Sequence, residues 1–151
     1  GKVSNELHNK YLRGWRVLDV VVSGFFDSVG LYDESGATES AIAKTWLETF
    51  GLGSLISSYY DEISFGQQRM VLLARAMVKS PKILILDEPC VGLDNYHRVL
   101  ILGVIDLISR KTETQIIYVS HTKNEMPNCI NIRLIFIPSS DGPSSVRIER
   151  L

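Results

Sequence analysis

The chain has little cysteine, no long apolar run and almost no net charge. Its two cysteines, Cys90 and Cys129, are too few for a disulfide scaffold and lack the spacing of a metal site, which favours a reducing environment. No apolar stretch approaches the length that crosses a bilayer, and no signal-peptide pattern opens the sequence. A net charge of −1 gives no reason to expect a nucleic acid as partner. We therefore expect a soluble, cytoplasmic protein that reaches a membrane only through a partner.

The sequence also lacks a phosphate-binding loop of the form G-x-x-x-x-G-K followed by Ser or Thr. Gly1 and Lys2 form a Gly-Lys pair, but it has neither a preceding glycine loop nor an adjacent Ser or Thr. Such a loop supplies the backbone N–H groups and the lysine that bind the β- and γ-phosphates of a nucleotide. We therefore expect this chain alone neither to bind a nucleoside triphosphate tightly nor to hydrolyse it.

What is present in the second half is an alternation of strand and helix patterns, which is typical of an α/β fold with parallel strands. The apolar run from Ile83 to Leu86 predicts a strand buried on both faces. The residues predicted to face inward from the helix that follows it are Val99, Leu100, Leu102, Ile105, Leu107 and Ile108. The predicted order is a helix at 65–79, the strand at 83–86, a helix at 95–110, a buried strand at 115–119, a strand at 132–137 and an edge strand at 146–148.

The first part of the chain, residues 1–62, has a helical pattern instead. One helix is predicted around residues 11–22 from valines and aromatic residues. A second helix starts at Thr38 or Ser40, carries an apolar stripe and ends at Gly51, where glycine suits the C-terminal cap. The aromatic residues at helical spacing favour core packing over a ligand site.

Two carboxylates, Asp87 and Glu88, stand at the C-terminal end of the central strand, and Pro89 ends it. In open α/β sheets ligands bind at this end of the strands. Asp87 could hold Mg²⁺ and Glu88 could activate a water for attack on a phosphoryl group. The alternative is a solvated exit from the strand, and the pair alone does not decide between them.

Three further features of the sequence provide candidate site residues. Ser64 and Gln67 have the spacing of a capping box, and the start of the helix that they cap is a potential anion site. Asp94 can cap the helix at 95–110. His121 follows the strand at 115–119, so we expect it at the same edge of the sheet as Asp87 and Glu88.

Taken together, four segments resemble the ATP-binding cassette (ABC) ATPases. Residues 63–67 (Ile-Ser-Phe-Gly-Gln) resemble the LSGGQ signature, and residues 83–88 resemble Walker B with its following glutamate. Residues 92–94 (Gly-Leu-Asp) resemble the D-loop, and residues 119–121 resemble the switch-histidine segment. The resemblance implies a partial P-loop NTPase (RecA-like) core at 63–151 with parallel strands and flanking helices. It implies that an α-helical subdomain at 1–62 precedes this core, with a remnant of the Q-loop at its start.

The resemblance also implies the ligands and partners of the complete protein. ATP and Mg²⁺ are the implied cofactors. The implied partners are a second cassette, in the same chain or in a dimer, and a membrane-embedded permease that keeps the protein at the inner face of the cell membrane. The implied catalytic residues are Glu88 and His121, the metal ligands are Asp87 and Asn5, and the residues that contact the partner cassette's ATP are Ser64, Phe65, Gly66, Gln67 and Asp94.

Three departures from the family pattern affect the expectation. Phe65 stands where the signature has glycine, and Asn5 stands where the Q-loop has glutamine. The absent phosphate loop implies that the resemblance covers the C-terminal part of one cassette, from the Q-loop onward. Segments at 22–32 and 133–138 resemble the molybdate-transport proteins with two cassettes in tandem. The alternatives are a non-transport ABC ATPase, in regulation or in DNA or ribosome work, and a non-catalytic module that only supplies its signature.

Overall fold

The α/β class is confirmed by the order of elements in this computed structural model, which describes residues 2–3, 14–26, 36–122, 125–137 and 145–151. Short 3₁₀ turns lie at Ser23–Phe26, Gly53–Leu55 and Tyr60–Glu62. The helices and strands are β1 (Lys2–Val3), α1 (Val17–Val22), α2 (Ala37–Thr49), α3 (Phe65–Met77), β2 (Ile83–Asp87), α4 (Asn95–Lys111), β3 (Gln115–Val119), β4 (Ile132–Ile137) and β5 (Ser145–Arg150).

The main sheet is parallel, with β2 in the centre between β1 and β3. Asp87 pairs with Val119, so the carboxyl ends of β2 and β3 meet at the same edge. The strand at Lys2–Val3 was not predicted, because two residues are too short for any periodicity to show. Its pairing with β2 places the start of the chain against the central strand.

The central strand is buried on one face, so the prediction of two buried faces is wrong. Leu84 and Leu86 are fully buried, whereas Ile83 and Ile85 are 45% and 38% exposed. The expectation of a buried β3 is also wrong, because Ile117 is exposed and the residues on the other face of the strand are only partly buried. Successive side chains of a strand point to opposite faces, and the described residues cover only one of them. An apolar run has the same composition on both faces, so the sequence could not separate the two.

Helix α3 lies at the centre of the core, and α1 and α2 both pack against it. Its residues Val71 to Ala74 are buried in succession, which leaves no solvent-facing side in that turn. The start of α2 differs from the prediction, because the helix begins at Ala37 with Gly36 as its cap and no side-chain cap. Its predicted end is confirmed, since Gly51 follows the helix with a φ of +75°.

Helix α4 begins as predicted after Asp94, but its inward face was partly misassigned. Its fully buried residues are Ile101, Ile105 and Ile108, which form one stripe at helical spacing. Val99 was expected to face inward and is exposed. It lies two residues before Ile101, about 200° around the helix, and so points to the opposite side. Apolarity alone could not orient a helix that carries apolar residues on most of its surface.

Strands β4 and β5 form a separate antiparallel hairpin, in which Leu134 pairs with Ile148. The strand predicted at 132–137 and the edge strand predicted at 146–148 are both confirmed as strands. Leu134, Phe136 and Ile148 are all exposed in this hairpin. None of the helices in the described part of the chain is both long enough and apolar enough to span a bilayer.

Candidate functional site

The exit of β2 is held in a defined and strained conformation. Glu88 follows Asp87, the last residue of the strand, and has a φ of +47°. Residues other than glycine seldom adopt positive φ, and such a backbone costs on the order of 1–3 kcal/mol. The N–H of Glu88 donates to the carbonyl of Val119 at 2.9 Å, which ties the exit of β2 to the end of β3. This bond fixes the direction in which the Glu88 side chain leaves the sheet edge.

His121 meets the Glu88 side chain at that edge, which confirms the predicted proximity of the two residues. The Nε2 atom of His121 lies 3.2 Å from Oε1 of Glu88. The imidazole is 88% exposed, and the Glu88 carboxylate is largely covered. Both groups can exchange protons, so the pair can position and activate a water molecule. The catalytic roles of Glu88 and His121 stay predictions.

A buried polar cluster that no sequence motif indicated lies next to this edge of the sheet. The hydroxyl of Tyr118 donates to the thiol of Cys90 at 3.7 Å. The buried carboxylate of Glu125 forms an ion pair with Arg98, with Nε and Oε1 3.2 Å apart. Burial raises the pKa of the Cys90 thiol to about 11, and burial also raises the pKa of Tyr118. Both groups are therefore neutral. Through Cys90, this buried polar cluster begins two residues after Glu88.

The start of α3 has the predicted capping box, which is confirmed in both of its hydrogen bonds. The Ser64 hydroxyl accepts from the Gln67 backbone N–H at 3.3 Å, and the Gln67 side-chain oxygen accepts from the Ser64 N–H at 2.9 Å. The ring of Phe65, partly exposed, lies 5.0 Å from the guanidinium of the buried Arg69. Phe65 therefore covers a buried cation, which gives the aromatic residue a packing role at this position.

A residue that sequence reasoning missed, His97, joins the starts of α3 and α4. Asp94 caps α4 as predicted by accepting from the His97 N–H at 2.9 Å. Its other oxygen lies 2.6 Å from Nδ1 of the His97 ring, and Nε2 of that ring lies 3.3 Å from the Ser64 hydroxyl. The backbone N–H of His97, and next its ring, hold the pKa of Asp94 below its usual range. The spacing Asp-x-x-His at a helix start was the signal that could have revealed the contact between Asp94 and His97.

Gly66 is the residue that lets this ring approach α3. A Cβ atom at Gly66 would overlap both the ring and the Cβ of His97. Gly66 is buried beneath the ring, so a larger side chain at this position could not avoid the overlap by pointing toward solvent. The close approach of the two helix starts therefore requires glycine here.

The predicted site residues thus fall into two clusters. The edge cluster contains Asp87, Glu88 and His121, and the helix-start cluster contains Ser64, Asp94 and the unpredicted His97. Asn5, the other predicted metal ligand, lies outside the described residues. Within the described ranges, no group of three or more His, Cys, Asp or Glu side chains is arranged to hold a metal ion. The carboxylates of the edge cluster still offer the oxygen donors that Mg²⁺ uses together with water and phosphate oxygens.

Comparison with known sequences identifies the family. The family described as ABC transporter matches residues 4–91, which is more than half of the chain. The ABC transporter ATP-binding protein ModF of Escherichia coli is 40% identical over 91% of this chain. The molybdenum import ATP-binding protein ModC of Saccharophagus degradans is 34% identical over 56% of this chain. The chain spans only 28% and 24% of the lengths of these two relatives.

Comparison with solved structures gives the same fold. The dimeric structure of MJ0796, a bacterial ABC transporter cassette, superimposes with a TM-score of 0.67 at 21% identity. The match covers 87% of this chain and 56% of that cassette. The P-loop NTPase fold class predicted from the sequence is therefore confirmed. By its sequence and by its fold, the chain belongs to the ABC transporter family of ATP-binding proteins.

Proposed function

We propose that this chain is the signature-bearing and Walker B-bearing part of a protein that hydrolyses ATP to drive the import of molybdate. The observation that carries the proposal is the contact of 3.2 Å between Glu88 and His121, formed beside Asp87 at the carboxyl edge of β2 and β3. This edge is where open α/β sheets bind ligands. The solute is inferred from the name of the ModC relative, a molybdenum import protein.

In this mechanism Asp87 holds Mg²⁺, which when bound neutralises charge on the phosphates of ATP. Glu88 accepts the proton of the attacking water as general base. His121 donates a hydrogen bond toward the γ-phosphate, and its exposure leaves room for a nucleotide to approach. A phosphate loop with its lysine would come from outside residues 1–151, since these residues contain none.

The proposed assembly is a head-to-tail pair of cassettes. Residues 64–67 and Asp94 of this chain face ATP bound to the other cassette, and the dimeric form of the related MJ0796 cassette supports such pairing. The division into a helical part at 1–62, which docks on a membrane-embedded permease, and a core part at 63–151 belongs to the same proposal. The location is then the inner face of the cell membrane. This chain by itself neither hydrolyses ATP nor binds it tightly.

Replacement of the chromosomal gene tests the proposal in cells. A strain that produces only the Glu88→Gln form of the complete protein should accumulate much less molybdate than the parent strain, with zinc uptake unchanged as the control for general effects. Exposed Glu113 provides the matched variant, since Glu113→Gln removes a carboxylate outside the edge cluster and should leave uptake normal.

Two outcomes would contradict this assignment. Normal molybdate uptake by the Glu88→Gln strain, with ATP hydrolysis lost in the purified protein, would favour a non-transport ABC ATPase. Normal hydrolysis by the purified Glu88→Gln protein would instead favour a module that only supplies its signature to a partner.

A further inference from the structure

We propose that His97, held by Asp94, controls which way the Ser64 hydroxyl donates its proton, and that it is a positioning residue for the phosphate contact of the signature segment. This inference rests on the proposed function, because it assigns a task to Ser64 at the partner's ATP. The geometry that carries it is a continuous chain of contacts. Asp94 Oδ2 lies 2.6 Å from His97 Nδ1, and His97 Nε2 lies 3.3 Å from Ser64 Oγ.

The first step concerns the tautomer of the ring. The Asp94 carboxylate already accepts the His97 backbone N–H, which stabilises its ionised form, so it can only accept hydrogen bonds. At 2.6 Å, the Nδ1 atom of His97 must therefore be the donor. In a neutral imidazole the other nitrogen, Nε2, is then an acceptor. The Ser64 hydroxyl is left to donate its proton to Nε2.

The second step concerns what the hydroxyl offers to a ligand. The Ser64 oxygen also accepts from the Gln67 N–H at 3.3 Å, so beside neutral His97 its only proton is already engaged. An anionic phosphate oxygen needs a donor, and this state presents a lone pair instead. When His97 gains a proton at Nε2, the ring becomes the donor to Ser64 Oγ. The hydroxyl proton is then free to point at the phosphate.

The third step concerns the surroundings of the ring. On α4 the His97 ring faces Asp94 and the edge-on ring of Tyr96, whose centroid lies 5.3 Å away. On α3 it faces Ser64 and Gly66, neither of which titrates in the range of histidine. The His97 side chain is only 19% exposed, so the ring is held between the two helix starts. Protonation of His97 therefore reverses the hydrogen bond between His97 Nε2 and Ser64 Oγ without moving either residue. A phosphate that needs the Ser64 hydroxyl proton favours the protonated ring.

Nuclear magnetic resonance of the ring nitrogens tests the tautomer independently of ATP. In the full chain at pH 8, a spectrum assigned with His97→Gln should show a proton on Nδ1 of His97 and none on Nε2. A proton on Nε2 instead would overturn the inference, whatever the protein does with ATP.

A double-mutant cycle tests whether His97 acts through Ser64. In the complete protein at pH 6 we expect His97→Ala and Ser64→Ala each to raise the ATP concentration for half-maximal hydrolysis by about 10-fold, since the first removes the protonated ring that turns the Ser64 hydroxyl toward the phosphate and the second removes the hydroxyl itself. The double variant should show no further increase. Multiplied effects would mean that His97 acts independently of Ser64 and would overturn the inference. A normal ATP requirement in Ser64→Ala, with the Nδ1 proton in place, would contradict the proposed signature contact instead and so remove the task assigned to His97.

The pH profile separates positioning from packing. Between pH 5 and 8, the half-maximal ATP concentration of the wild type should rise with pH more steeply than that of His97→Gln, because only the wild type has a ring that can gain a proton at Nε2. His97→Gln keeps much of the side-chain volume, so it serves as the second variant if His97→Ala unfolds. Parallel profiles of the wild type and His97→Gln would show that the ring does not reverse the hydrogen bond, and would overturn the inference.

Discussion

Two histidine–carboxylate pairs in the described part of the chain differ in sequence separation, distance and exposure. His97 and Asp94 are three residues apart at one helix start, and their ring nitrogen and carboxylate oxygen lie 2.6 Å apart. His121 and Glu88 come from the ends of two neighbouring strands, lie 3.2 Å apart and leave the imidazole almost fully exposed. In the first pair the histidine ring is held between two helix starts and its carboxylate is 62% exposed, whereas in the second pair the carboxylate is largely covered and the histidine ring faces solvent.

The difference indicates which pair can change partners. The His97–Asp94 contact is part of a helix cap, and the His97 ring packs on Gly66. Breaking this contact would disturb both, so the pair is held rigidly. The His121–Glu88 contact can break with little loss of packing, because the His121 imidazole is 88% exposed. We therefore propose positioning as the role of the close pair and direct contact with the reacting phosphate and water as the role of the open pair.

The largest effect is expected at the open pair. Glu88→Gln in the complete protein should slow single-turnover ATP hydrolysis by about 10²–10⁴-fold, the range for loss of a general base. The affinity for Mg-ATP should change little, because a base acts on water in the transition state and contributes little to ground-state binding. Rapid-quench hydrolysis and nucleotide titration of the same sample measure the two quantities. An unchanged rate would remove Glu88 from the mechanism and with it the contrast between the pairs.

The next largest effect is expected at the close pair. Gly66→Ala should lower the free energy of unfolding by about 1 kcal/mol, because overpacking costs about 1–3 kcal/mol and alanine recovers only about 0.5–1 kcal/mol over glycine in a helix. Gly103→Ala is the matched control, since Gly103 also lies in a helix and has nothing within 4 Å of an added Cβ. It should raise stability by about 0.5–1 kcal/mol. Urea unfolding measures both, and equal shifts would mean that His97 is not packed on Gly66.

A smaller effect is expected from the charge of Asp94. Its pKa is lowered in the folded state, so its ionised form contributes stability above the unfolded value of about 3.9, and this contribution is lost as the pH falls through the folded value. Asp94→Asn keeps a good helix cap but cannot ionise. The variant should therefore be less stable than the wild type at pH 6, and the difference should shrink as the pH falls below about 3.9. A difference that persists in acid, measured by urea midpoints, would assign it to something other than this charge.

The smallest effect is expected in the buried polar cluster next to the open pair, which contains Cys90. With a pKa of about 11, roughly one thiol in a thousand is ionised at pH 8, and the group is also buried. A thiol reagent should therefore modify the half-buried Cys129 first and Cys90 only after unfolding. Because its folded pKa is raised, the contribution of Cys90 to stability is present below about pH 8.5 and declines toward pH 11. Rapid labelling of Cys90 would show that the buried polar cluster opens readily in the folded protein.

Local rules predicted much of the secondary structure and of the site. The capping box at Ser64, the cap at Asp94 and the meeting of Glu88 with His121 all follow from short spacings or from the shared edge of parallel strands. These features depend on residues close in sequence or on one topological rule. The sequence therefore carried enough information to place them.

The features that were missed depend on contacts between distant segments. The exposed face of Ile83 and Ile85 depends on what packs against the sheet, and the apolar run does not record this. The approach of His97 to Ser64 spans 33 positions and depends on Gly66, and a glycine in a sequence does not reveal which side chain will pack against it. Tertiary packing decided both, and no periodic pattern reports it.

The most direct test of the central claim is ATP-induced pairing of the complete protein. In Glu88→Gln, slow hydrolysis should preserve the ATP-bound state, so size-exclusion chromatography with Mg-ATP should show paired cassettes that are absent without nucleotide. If Ser64 of one cassette contacts ATP on the other, adding Ser64→Ala should shift the pair back toward single cassettes. Adding Glu113→Gln instead should leave the pair intact. Equal pairing with and without Ser64→Ala would contradict the claim that this helix start binds the partner's ATP.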